Sequence, residues 1–363
     1  MDFLNLGPML LDVAKPTGMW ESIIFGLESL VKNYGLTIIL VTLAIKLVML
    51  PFDFYNRYIN KKNSSKMAII QPELEKVQKK YGANRDVLNQ KTMEVYKKHN
   101  YNVMGSCLGM LLNMVLTMVI FFTLFSGLNK IAAYKIYTEY QTLQTTYESN
   151  IGGQLVEVVN TENNSVVKIK LSDDSIVELT EELQTKANAA VVEKYAEIKE
   201  DFLWIKNIWR PDTNTNIVLN YSDFISNAKI DESELSSAVY NQVMNPIRNN
   251  NEGWNGYYIL ILLSAATTYL SSQISIWMGR AKAKRSGKPY VDAMSQNKLL
   301  TYLMPVIMAL FTLFYNAMFA IYIVTGALFG LATSPLMTIF VDKAYDKSVE
   351  KENEKIRVSY SRK

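Results

Sequence analysis

Cysteine and histidine are almost missing: Cys107 and His99 are the only residues of their kind. A lone cysteine excludes an intrachain disulfide and any metal site built on a cysteine cluster. A lone histidine leaves one candidate for a Ser-His-Asp or Cys-His centre, and its polar, basic surroundings read as a solvated surface position. No G-x-x-x-x-G-K-[ST] pattern occurs, so the familiar phosphate-binding loop is absent and no cofactor is expected. The first eighteen residues carry Asp2 and Asp12, with neither a basic start nor an apolar core leading to a cleavage site, so no secretory signal is expected there. No catalytic constellation emerges, which makes an enzyme the weakest reading.

Charge is also missing over long stretches. A chain of 363 residues would allow two or three soluble domains. Here the mean hydropathy is near neutral, yet the apolar residues are bunched into windows at 36–56, 104–128, 257–278, 299–317 and 318–341. These predict an all-α integral membrane protein with five transmembrane helices. In the first window, Lys46 interrupts an otherwise apolar run. It lies about 18 Å along a helix from Tyr34 and about 16 Å from Arg57, near mid-membrane. A lysine there costs roughly 2.5–3.5 kcal/mol on insertion scales unless it faces protein or water.

Charge balance orients the spans. Residues 57–103 hold eleven Lys/Arg against four acids, whereas 129–256 hold eleven against nineteen. The loop 279–298 and the tail 342–363 are basic again. By the positive-inside rule the N-terminus lies outside and the C-terminus in the cytoplasm of a cell-membrane protein. The domain plan is an extracytoplasmic N-terminus (1–33), spans at 34–56, 104–128, 257–278, 299–317 and 318–341, a cytoplasmic helical hairpin (57–103), and a small extracytoplasmic α+β insertion (129–256).

Within that plan, 20–33 has apolar residues on one helical face, with Glu21 and Lys32 off it, and reads as an interfacial helix. Gln71 to Gly82 reads as a helix starting at Pro72 and ending at Gly82, and Asn84 as the cap of a second helix over 85–99. Lys76, Lys79, Lys80, Lys97 and Lys98 make this hairpin a docking candidate for anionic lipids, ribosomal RNA or a nascent chain. Residues 154–159, 165–171 and 175–179 read as a three-stranded meander, flanked by helical stretches near 132–148 and 180–200. Phe202 to Trp209 reads as an aromatic interfacial segment. Hydroxyl and amide residues fall on span faces: Thr42, Asn113, Thr117, Thr268, Ser271, Thr312 and Tyr322. On any one helix they are packing devices; together with Lys46 they suggest a wet groove.

Several stretches together resemble the YidC-type membrane protein insertases. They are Gln71-Pro72-Glu73-Leu74-Glu75-Lys76-Val77-Gln78-Lys79-Lys80-Tyr81-Gly82, Asn102 to Leu108, Phe202-Leu203-Trp204-Ile205 with Arg210-Pro211-Asp212, Ala266 to Ser272, Thr301 to Met308, and Tyr322 to Thr325 with Leu328-Phe329. The resemblance implies a hydrophilic groove open to cytoplasm and lipid, kept positive by a basic residue in the first span, usually arginine. Lys46 holds the matching position. It implies nascent membrane-protein clients as partners, with the ribosome and the Sec translocon beside them, and no DNA. Departures are Ile323 in place of an aromatic, Gly326-Ala327 in place of Ser-Asn, and Gly109 and Val115 in place of prolines. The alternatives are an assembly scaffold with a degenerate groove, which Ile323 and Gly326-Ala327 would fit, and a channel or transporter. The latter predicts repeats and further charges deep in the spans, and the sequence shows neither.

Overall fold

The computed structural model describes residues 14–99, 101, 103–159, 165–213, 216–251, 253–287 and 298–361. It is mostly helical. In chain order come α1 (Met19–Val31), α2 (Tyr34–Tyr81), α3 (Arg85–Lys98), α4 (Val103–Ile151), β1 (Gln154–Val159), β2 (Ser165–Lys170), β3 (Ile176–Glu178), α5 (Glu181–Ile198), α6 (Tyr221–Ala228), α7 (Ser237–Asn250), α8 (Ile259–Ser286), α9 (Lys298–Phe314) and α10 (Ala317–Ser361). Four of these, α2, α4, α8 and α10, are long and apolar enough to cross a membrane, and α9 is a shorter apolar helix. Their large apolar side chains face outward: Val48 and Phe52 on α2, Val119 and Phe122 on α4, Leu262 on α8, Phe340 on α10. A protein whose solvent is lipid needs no inward bias of this kind.

Three helices overrun their spans. Helix α2 has 48 residues, about 72 Å, and carries the first span and the first hairpin arm without a break. Pro72 therefore lies inside a helix rather than starting one. Helix α4 continues from the second apolar window through the polar stretch at 132–148, and α10 carries the last window into the basic tail. Pro51, Pro335 and the Ser126-Gly127 pair fall near these junctions, yet each helix continues through them.

Contacts divide the chain into two units. The first comprises 1–39, 123–261 and 311–321. Its sheet has the order β1-β2-β3, antiparallel throughout, with Leu155 opposite Ile169. Both are buried, as period-two alternation requires for one covered face. Helix α7 packs on β1 and β2, and also on α5. Its Ser236 cap receives Ala238 and Val239 amides and binds Glu157 of β1. Tyr140, Phe224 and Tyr240 form the aromatic centre, with ring separations of 4.7–5.2 Å.

In the aromatic stretch before α8, Phe202 and Trp204 are half-buried and Leu203 is exposed. Phe202 and Ile205 exchange 2.9 Å backbone hydrogen bonds around Leu203, which has φ 55°. Trp209 is buried, edge-on to Tyr34 at 5.2 Å. Glu21 is likewise buried rather than off the packed face of α1, and Lys130 lies 3.5 Å from it.

Asp212 organises this region. It is fully buried, and its carboxylate accepts hydrogen bonds from the Tyr257 and Leu260 amides at 2.8 and 2.6 Å and from Trp204 Nε1 at 3.3 Å. It thus caps α8 from 48 residues away, placing an anion at the positive end of an apolar helix. The approach is close: a Cβ on Gly256 would stand 1.7 Å from Asp212 Oδ1, so only glycine fits. Asp212→Ala is expected to destabilise the chain by roughly 2–3 kcal/mol, because buried amides lose a charged acceptor. Thermal unfolding of the purified full chain in detergent checks this, and an unchanged midpoint would contradict the capping role.

Candidate functional site

The second unit comprises 40–122, 262–310 and 322–363. Within it, α2 presents Lys46, Asp53, Arg57 and Lys61 at steps of seven, four and four, which is one helical face. Lys46 is half-buried. Its stem lies against Gly326 of α10: a Cβ there would stand 3.1 Å from Lys46 Cε and 3.9 Å from Thr42 Cγ2. Thr42 itself is fully buried. Further along, Arg57 Nη1 donates to Ser334 Oγ at 3.1 Å, Lys61 pairs with Asp342 at 3.2 Å, and Tyr58 meets Tyr345 edge-on at 6.4 Å. Partners rise together on both helices, 46 with 326, 57 with 334 and 61 with 342, so α2 and α10 run parallel.

Asp53 is a further charge of the first apolar window, close to its end rather than deep within it. It stands inside the first apolar window, between Lys46 and Arg57 and attracted by both. Hydropathy averaging hides it; its spacing from Lys46 and Arg57 is the signal that finds it.

The other groove residues divide. Ser271 on α8 lies 3.9 Å from a Cβ position at Gly330 of α10. Thr268 is half-buried, and its carbonyl accepts the Ser272 hydroxyl at 3.1 Å. Ser264 and Thr267 are buried, and Thr267 donates to the Leu263 carbonyl at 2.5 Å, so part of the α8 stripe serves its own helix. Tyr322 is half-buried with its ring 6.3 Å from Phe121. Thr117 is exposed on α4 among outward apolar residues. Thr312 is fully buried and belongs to the first unit. The Asn113 side chain lies outside the described residues.

In the hairpin, Asn84 caps α3 as its sequence predicts, accepting from the Asp86 and Val87 amides at 3.2 Å. Lys76, Lys79, Lys80 and Lys97 are exposed. Lys98 instead binds Glu73 at 2.6 Å. His99 is not simply solvated: its Nε2 lies 2.7 Å from the other Glu73 oxygen. Glu73 thus joins α2 to the end of α3.

The model of the 60Kd inner membrane protein family matches residues 26–344. The chain belongs to that family. It is 38% identical over 101 residues to a membrane protein insertase YidC of Fusobacterium nucleatum, covering 28% of this chain and 47% of that protein. A protein of the same name from Clostridium tetani is 42% identical over 79 residues, covering 22% of this chain and 34% of that one. Another from Anaeromyxobacter dehalogenans is 39% identical over 85 residues, 23% of this chain and 15% of that one. The matched stretches span less than half of these relatives. Family and helices together make this a multi-pass membrane protein.

Two outcomes follow. Gly326→Leu is expected to cost about 1–3 kcal/mol by overpacking against Lys46, while Gly326→Ala needs only a slight shift of a flexible stem; equal unfolding midpoints for both would place Lys46 elsewhere. Hydrogen bonds from Lys98 and then His99 hold the Glu73 carboxyl below the usual glutamate range. A depressed carboxyl stabilises above the unfolded pKa and loses that contribution as pH falls through the folded value. Amide exchange over 70–99 should therefore accelerate below the ordinary glutamate range, and Glu73→Gln should remove that dependence. Identical pH profiles for both chains would rule the tie out.

Proposed function

We propose that this chain is a membrane protein insertase of the cell membrane, acting through a hydrophilic groove without nucleotide hydrolysis or other catalysis. The observation that carries the reading is the half-buried Lys46 seated on Gly326, on the same α2 face as Asp53 and Arg57. A client span enters lipid readily once its polar flank has crossed, and that flank is the barrier, since each unpaired polar group in hydrocarbon costs several kcal/mol. A wet face reaching mid-membrane shortens the apolar path. Lys46 attracts acidic residues of the client's flank, and the apolar client helix moves sideways into lipid.

Five crossings with the N-terminus outside suit the geometry. Parallel α2 and α10 require an odd number of crossings between the end of α2 and the start of α10, so with α4 and α8 both spanning, α9 makes the third. This supports α9 as a span despite its 17 residues, about 25 Å. The exposed lysines of the hairpin then face the cytoplasm, where nascent clients, the ribosome, the Sec translocon and anionic lipids would meet them. Gly326 counts against a degenerate groove, because its lack of a side chain is what admits the lysine stem.

The test is insertion of a single-span client with a short acidic tail into proteoliposomes free of nucleotide. Lys46→Ala should lose most insertion and Lys46→Arg should keep most of it. Equal insertion by Lys46→Ala would remove the electrostatic role.

A further inference from the structure

The first unit holds a polar cleft of its own. A cleft of about 450 Å³ opens between α4, α6 and the turn joining α9 to α10. That volume falls within the ~300–1,000 Å³ of small-ligand sites. Its charged residues are Arg210, Lys229 and Asp223, two cations against one carboxylate. Among the described residues neither Arg210 nor Lys229 has a carboxylate within salt-bridge distance. Arg210 is half-buried, and its Nε donates to the Asn216 carbonyl at 3.3 Å. The segment carrying it is fixed: the Ala317 amide donates to the Arg210 carbonyl at 2.8 Å. Lys229 ends α6 in the left-handed region, φ 58°. Asn129, Asn227 and Tyr315 add hydrogen-bonding groups. Trp209 also lines the cleft; it is buried, and among the described residues its indole Nε1 has no hydrogen-bond partner.

The cleft has a definite depth. Asn129 directly follows the second apolar window. Phe314 ends α9, Asn316 caps α10 through the Phe319 amide at 3.1 Å, and the Phe314 ring is 73% exposed. The apolar window of α4 stops here, α9 ends here and α10 begins here, so the cleft opens at the membrane–water interface with an exposed phenyl ring beside it. A net positive cleft with an arginine fork, amides and an exposed phenyl ring matches a phosphodiester whose acyl chains continue along apolar helices.

We propose that this cleft binds the headgroup of an anionic phospholipid, its phosphate on Arg210 and Lys229 and its headgroup hydroxyls on the asparagine amides. Asp223 disfavours a second negative charge, which selects a phosphodiester over a phosphomonoester. The site would hold lipid against the outer ends of α4, α9 and α10, independently of the groove.

The test uses the full chain in nanodiscs of phosphatidylcholine with a minority of phosphatidylglycerol, with retained lipid read by native mass spectrometry. The parent should retain phosphatidylglycerol over phosphatidylcholine. Arg210→Gln and Lys229→Asn should each lower that preference by about tenfold, the scale of one charge-assisted hydrogen bond. Lys229→Asn guards against misfolding, since asparagine tolerates the left-handed region. Lys186→Gln, at an exposed lysine of α5 that does not line the cleft, should change nothing. Preference unchanged in both cleft variants overturns the site. Displacement of the lipid by soluble glycerol phosphate at equal concentration would reassign it to a free phosphate ester and overturn the lipid claim. A photocrosslinker at Asn227 that captures client polypeptide instead of lipid would also overturn it. Insertion is not the readout, so this outcome is separate from that of the groove.

Discussion

An ammonium group inside an apolar helix must keep polar contact or water within reach, and the second unit is arranged around that need. Lys46 cannot retreat along α2, because the helix is regular on both sides of it. It can only lean on a neighbour. Gly326 offers that neighbour no side chain, and Asp53 and Arg57 continue the polar face away from it. The opposite face keeps Leu47, Val48 and Phe52 exposed for lipid. In the proposed insertase one helix meets two solvents, divided along its length rather than across it.

The parallel course of α2 and α10 gives that face its wall. Arg57 and Lys61 find Ser334 and Asp342 on α10, so the charged ladder ends in paired groups and leaves Lys46 at its apolar limit. Lysine is a compact, strongly hydrated charge on a flexible stem, unlike the planar arginine fork. It asks for water more than for a bidentate partner, which suits a position whose stem lies against a glycine.

Much of this was legible in the sequence where the signal is local. The β-branched runs became β1 to β3, Asn84 capped α3, and Lys46 stood out as a single charge in an apolar window. What escaped is pairing over distance. Nothing near Asp212 says that it will cap α8, because the amides it serves are 45 and 48 residues away. Nothing near His99 points to Glu73. Pro72 looks like a helix start because proline favours a first turn, yet the helix already runs through it. Asp53 was hidden by averaging over a greasy window, although its spacing from Lys46 was in plain view.

The central claim is that the face of α2 carrying Lys46 is wet. In a Cys107→Ser background, single cysteines at Lys46 and at Val48 can be challenged with a membrane-impermeant thiol reagent in inside-out vesicles. The account predicts labelling at 46 and protection at 48. Protection at both positions would mean that Lys46 lies in a dry contact, and the groove would be contradicted.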